Sequence, residues 1–286
     1  MENQDFLLAI LRGATPLFLA AMGGLLSERS GVVQIALEGM MLMGALLAAI
    51  VAHFTHSPWL GLLASVFAGV IFASLYSFFV LHLKANQIVT GTALNILALG
   101  IAPFITKIAF DSTGSTPGLD MNSRFSWEPI FFAILAFGFA QYLFHYTRAG
   151  LLLQFAGEKP DALRSSGVSV LQVRWFSLLG CGALAGVAGS TLSLFLASSY
   201  SPNMTAGRGF MALAALIFGR WKPLPTAGAC LLFAATDALQ IRLQGQGTWI
   251  PVQFIQILPY LVTIIALAGF FGQSRAPKAL GSDVES

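Results

Sequence analysis

Nine apolar segments, most of them close to twenty residues long, leave this chain few folds to choose from. They run over 7–26, 35–53, 59–82, 88–109, 127–146, 175–197, 207–219, 223–241 and 253–272. About twenty mostly apolar residues carry an α-helix across the hydrocarbon core of a bilayer. Inside lipid every backbone N–H and C=O needs a partner within the protein, and a helix supplies one residue by residue. The composition agrees: 56% of the chain is hydrophobic and 9% charged, against roughly 25% charged in a soluble domain. The expected fold is an all-α membrane protein, a polytopic helical bundle of about nine transmembrane segments over residues 1–272. A polar tail at 273–286 is expected to be disordered. The N-terminal MENQDFLLAILRG lacks the basic region and cleavage site of a signal peptide, so the first apolar segment is expected to remain as a span. The pI near 9.0 does not point to nucleic acid, because excess Lys and Arg in membrane proteins sorts to cytoplasmic loops.

One stretch breaks the apolar pattern. GLLLQFAGEKPDALRSSGVSVLQVR, residues 150–174, carries Glu158, Lys159, Asp161, Arg164 and Arg174. It reads as a very short helix. Pro160 suits a first helical position, where its missing N–H costs nothing. Glu158 and Asp161 sit near the positive end of that helix. Gly167 is a natural stop, since glycine takes the left-handed turn cheaply. From the residues alone, a docking element and an ordinary solvated loop are equally good readings. With the 147–174 loop cytoplasmic and all nine segments crossing, ten of the fifteen Lys and Arg residues fall inside, as the positive-inside bias requires. Segment 207–219 is short for a full crossing and reads equally as a broken or re-entrant helix, which is tolerated only where protein or a cavity surrounds it.

Catalytic motifs are missing. No Gly-Lys dipeptide occurs, so there is no phosphate-binding loop of the Walker type. GCGALA at 180–185 and GRGFMA at 207–212 fit a dinucleotide pattern formally, but neither follows a strand. His53, His56, His82 and His145 lie near span ends. Cys181 and Cys230 lie inside apolar segments and read as small packing residues. No metal site is expected, and no catalysis by this chain alone. Gly182 and Gly186 have the spacing that lets helix backbones approach closely.

Polar groups inside the apolar segments are the better clue. A charge near the bilayer centre costs about 2.5–3.5 kcal/mol on insertion scales, so it faces the bundle interior or a watery path. Glu38, after Gln34, and Asp237, near Gln240, are the acids in question. Asn95 stands in the middle of 88–109, with Thr92 nearby. Each reads either as an interhelical hydrogen-bonding group or as part of the lining of a solute path.

Four segments carry a resemblance. SERSGVVQIALEGMMLMGA (27–45), ANQIVTGTALNILALG (85–100), GEKPDALRSSGV (157–168) and AGRGFMALAALIFGRWKP (206–223), the last followed by DALQIRLQ (237–244), stand in order along most of the chain. Together they resemble permease subunits of bacterial ABC importers for nucleosides and simple sugars, and the match is closest to the shorter of the two permeases in nucleoside systems. Members commonly have Asn-Ile-Gly-Leu-Glu-Gly where this chain has Gln34-Ile-Ala-Leu-Glu-Gly39, and Asn where it has Lys159. Members often have ten spans and a cytoplasmic N-terminus; nine spans with the N-terminus outside fit loss of the first.

The resemblance implies a type II ABC importer permease fold in the bacterial cytoplasmic (inner) membrane, crossing it many times. It implies a heterodimer with a second permease subunit. Gly157, Glu158, Lys159, Pro160, Asp161, Arg164 and Gly167 would contact a separate cytoplasmic ABC ATPase, which would use ATP and Mg while this chain binds no cofactor. An extracytoplasmic substrate-binding protein would deliver a small molecule. Gln34, Glu38, Thr92, Asn95 and Asp237 are the candidates for the translocation path. The implied cargo is a nucleoside; the alternative is a simple sugar such as ribose or galactose. A self-sufficient secondary carrier is the rival from another class, but it calls for inverted repeats and coupling acids at the midplane, and no convincing repeat is present.

Overall fold

A computed structural model describes residues 2–112, 114–245, 257, 261 and 276–282. The main regular elements among the described residues are helices: α1 (Glu2–Arg29), α2 (Leu37–Thr55), α3 (Pro58–Ser77), α4 (Gln87–Phe110), α5 (Glu128–Tyr146), α6 (Arg148–Glu158), α7 (Pro160–Ser165), α8 (Val170–Thr191), α9 (Arg208–Phe218) and α10 (Pro223–Gly245). A π-helical turn extends α3 to His82 and another extends α8 to Leu196. Seven of these helices are long and apolar enough to cross a membrane. They answer to seven of the nine expected segments, while 253–272 lies almost wholly outside the described residues. The remaining one, α9, has 11 residues, or about 16 Å, against the ~30 Å of a hydrocarbon core.

Helix α8 is the central post. Its small residues let three backbones meet. A Cβ on Gly189 would strike the Met41 carbonyl of α2, and one on Gly186 or Gly182 would strike the backbone of α3 at Ser65 or Gly69. The glycine spacing read from the sequence therefore serves packing within this chain. Helices α3, α4 and α5 turn large apolar side chains outward, among them Phe67, Ile96, Phe104, Ile108, Phe131 and Ile134, a surface suited to lipid.

Two irregular segments enter the bundle from opposite faces. Residues 30–36 leave α1 at one face and reach into the interior before α2 begins. Asn95 receives them eight residues into α4, roughly 12 Å from that helix's start. Residues 197–207 do the same from the far face, where Thr116 and Leu119 donate backbone N–H groups to the carbonyls of Tyr200 and Ser198. Helix α9 then continues to the first face, where Trp221 meets Glu28 at the end of α1. Residues 197–221 thus cross as a broken segment, with irregular backbone only where protein surrounds it.

The chain's end departs from expectation. Residues 276–282, part of the tail read as disordered, are seated on the face that carries the 147–174 loop. The Ala279 N–H donates to the Gly157 carbonyl at 2.8 Å and the Gly281 N–H to the Gly31 carbonyl at 3.4 Å, while Gln87 Nε2 reaches the Ser282 carbonyl at 3.2 Å. Backbone hydrogen bonding, which composition does not record, holds these residues. Their position also puts tail and loop on one side of the bundle, as an even number of crossings after the loop requires.

Candidate functional site

The loop face presents the short charged helix. Helix α7 begins with Pro160 at its first position, and Gly167 takes a φ of 80° just beyond its end. Leu163 is its buried anchor, packed with Ala156 and Val170. Lys159, Asp161, Arg164 and Gly167 are exposed, Glu158 and Pro160 half-buried, and Gly157 buried. Arg164 lies 3.6 Å from Asp161.

The base beneath α7 is braced from three sides. Arg29, the last residue of α1, donates to Gln154 Oε1 at 2.7 Å. Arg174 of α8, almost fully buried, donates through Nε to the Ser30 carbonyl and through Nη2 to the Ala156 carbonyl. Gly157 packs so closely on α1 that a Cβ there would overlap the Arg29 carbonyl. The end of α6, from which α7 follows, is therefore tied to the ends of α1 and α8.

The bundle interior gathers three of the five path candidates around the start of α2. Asn95 accepts from the Gly39 N–H at 2.8 Å and donates to the Ile35 carbonyl at 2.9 Å. Glu38 accepts from the N–H groups of Gly207 at 2.8 Å and Gly209 at 2.7 Å, which caps the start of α9 with a carboxylate where the helix dipole favours one. Gln34 is fully buried and donates to the Met40 and Cys181 sulfurs, leaving its Oε1 without a donor among the described residues. Glu28 completes the cluster, accepting from Trp221 Nε1 at 2.6 Å and from the Gln34 N–H at 3.4 Å. Thr92 stands apart, exposed and bonded to its own helix at the Ile88 carbonyl.

Asp237 occupies a different place. It lines an open cavity of about 850 Å³ between the first turns of α1, the start of α9 and the second half of α10. That volume lies within the range of small-molecule sites. Arg12, Arg208 and Gln240 supply its other polar groups, and Leu8, Met211 and Ile241 part of its apolar wall. Asp237 and Gln240, three residues apart, share one face of α10. Each arginine is steadied: Arg12 lies over the Phe195 ring at 4.8 Å, and Arg208 donates to the Met204 carbonyl at 3.3 Å. Helix α1 joins the two sites, with Arg12 in the cavity and Arg29 under α7, about 26 Å apart along the axis.

From sequence alone Arg12 and Arg208 are two of the fifteen basic residues, and GRGFMA is a formal dinucleotide match without its strand. Gly207 and Gly209 of that motif donate the amides that hold Glu38. A signal was available in the pairing of a buried acid with a glycine-rich helix start, but nothing in the sequence says that residues so far apart meet. Among the described residues no cluster of His, Cys, Asp and Glu fit for a metal ion occurs.

Comparison with known proteins places these sites in context. Residues 6–267 match the family described as branched-chain amino acid transport system / permease component. The guanosine ABC transporter permease protein NupQ of Bacillus subtilis is 34% identical, over 96% of this chain and 94% of its own length. The nucleoside ABC transporter permease protein NupC of Lactococcus lactis is also 34% identical, over 94% and 92%. The ribose import permease RbsC of Escherichia coli is 22% identical over 70% of this chain and 64% of its own. A solved structure of an ABC transporter in an inward-facing conformation shares the fold, with a TM-score of 0.52 at 13% identity over 91% of this chain and 84% of that one.

Proposed function

Because this chain belongs to the branched-chain amino acid transport system / permease component family, we propose that it forms half of the membrane path of an ATP-driven importer for nucleosides in the bacterial cytoplasmic membrane. The observation that carries the cargo is the 34% identity with guanosine and nucleoside permeases over nearly the whole chain, against 22% with the ribose permease. The proposed partners are a second, different permease, a cytoplasmic ABC ATPase that uses ATP and Mg, and an extracytoplasmic protein that delivers the nucleoside.

The geometry gives this reading a mechanism. Helix α7 presents a charged, exposed surface whose base is tied to α1 and α8. Closure of the ATPases on ATP binding pushes on α7, and Gly157, Arg29 and Arg174 pass that displacement on. Helix α1 carries it toward the cavity, where Arg12, Arg208, Asp237 and Gln240 face the cargo. Interiors pack too densely to deform gradually, so such a push selects between discrete arrangements. The alternation between outward-open and inward-open states follows from that selection.

The test is uptake of radiolabelled guanosine by proteoliposomes holding both permeases and the ATPase, with the delivery protein outside. Uptake should need ATP and every component. Ribose uptake that outruns guanosine uptake with the same components would transfer the reading to simple sugars.

A further inference from the structure

Among the described residues three acids lie within the bundle, and hydrogen bonds satisfy two of them. Glu38 takes two backbone N–H groups, and Glu28 takes an indole and a backbone N–H. Asp237 is the exception. Among the described residues, no N–H or O–H donates to its carboxylate, and the cation that acts on it, Arg208, does so from beyond salt-bridge distance. It is half-buried in the wall of the 850 Å³ cavity, about 21 Å along α10 from Pro223. An ionisable group is costly to keep inside a membrane span, and its usual place is a functional one.

An ionised carboxylate is an acceptor only, and a guanidinium a donor only. The cavity therefore suits a neutral solute that presents donors on one edge and acceptors on another. A nucleoside does this. Its vicinal 2′ and 3′ hydroxyls are two adjacent O–H donors, and the two oxygens of one carboxylate can accept both. Its base carries the carbonyl and ring-nitrogen acceptors that Arg12 and Arg208 can serve. The arginines have no acceptor to offer the diol, Gln240 offers one neutral amide oxygen where Asp237 offers a charged pair, and the α9 start has no free amide for the cargo at Gly207 or Gly209, because Glu38 already holds both.

Resting on the nucleoside reading above, we propose that Asp237 grips the ribosyl diol during passage. The permease itself then favours ribonucleosides over 2′-deoxynucleosides, in addition to any preference set at delivery.

The experiment uses the complete importer in proteoliposomes and compares uptake of guanosine with uptake of 2′-deoxyguanosine. The delivery protein is the same throughout, so its own preference cancels when a variant's ribo-to-deoxy ratio is divided by that of the wild type. Hydrogen bonds to a charged group contribute about 1.5–3 kcal/mol each, so Asp237→Asn should lower the ratio roughly tenfold or more. Asp237→Glu, which moves both oxygens by one methylene, is read in parallel and should shift the ratio several-fold even if the Asn variant fails to assemble. A parallel fall in both substrates, or an unchanged ratio, overturns the proposal. So does a wild-type importer that carries the two nucleosides equally well, and in that case the nucleoside reading stands. A wild-type importer that carries no nucleoside removes the nucleoside reading and this proposal together.

Discussion

The Glu38 carboxylate and the Gly209 amide meet at 2.7 Å although 171 positions separate them in the chain. The contact joins the start of α2 to the start of α9 inside the bundle, where two irregular segments end. Gly209 has no room for a side chain: a Cβ would lie 2.6 Å from the Glu38 nitrogen. Gly207, with a φ of 83°, supplies the left-handed turn that aims its own amide at the same carboxylate. Glu38→Ala would leave the buried Gly209 amide and the half-buried Gly207 amide without their acceptor, at a cost of about 1–3 kcal/mol for the buried one. Its melting temperature in detergent should fall by several degrees or more. Glu38→Gln keeps one acceptor oxygen and should lose less. A Glu38→Ala protein that melts like the wild type would show the contact to be dispensable.

Asn95 marks the boundary of what the sequence makes legible. Its polarity inside an apolar segment announces a role but not which one. The structure commits both ends of the amide, one to the Gly39 N–H and the other to the Ile35 carbonyl. Asn95→Ala is therefore expected to lower folded yield and melting temperature by more than it changes the apparent affinity for substrate. An affinity loss at normal yield would return Asn95 to the path. The spans themselves were readable, because length and apolarity are local properties. So were the limits of α7, because Pro160 and Gly167 act on their own backbone. The partners of Glu38, Asn95 and Glu28 were not, since each lies on an element brought near only by packing. Asp237 was singled out by its charge, while its neighbours Arg12 and Arg208 come from distant helices.

Helix α7 gives a prediction about coupling. Its surface Arg164–Asp161 ion pair contributes about 0–1 kcal/mol to the fold, Leu163 supplies the anchor, and Glu158 stands half-buried at the end of α6 just before it. Glu158→Ala combined with Arg164→Ala should abolish ATP-driven uptake while both permeases still co-purify. Normal uptake by the double variant would count against α7 as the ATPase contact. Leu163→Asp should behave differently, losing the helix itself by burying a charge beside Ala156 and Val170.

The seated tail gives the last prediction. Gly157 lies at the base of α7 and Gly31 in the turn after α1, and one strand of chain donates to the carbonyls of both. A Cβ on Gly31 would crowd Arg174 Nη2 and the Ala279 carbonyl together, so tail, turn and brace form one packed unit. Ala279 is buried there, at 7% exposure. Ala279→Pro removes the N–H that reaches Gly157 and leaves that carbonyl short of a partner, at a cost of about 1–3 kcal/mol. Amide hydrogen exchange should quicken in 276–282 and at the base of α7, while the transmembrane helices stay protected. Uptake should fall several-fold at unchanged ATPase binding, because a looser base absorbs part of the push before it reaches α1. Exchange and uptake both at wild-type levels would mean that the tail rests on this face without bracing it.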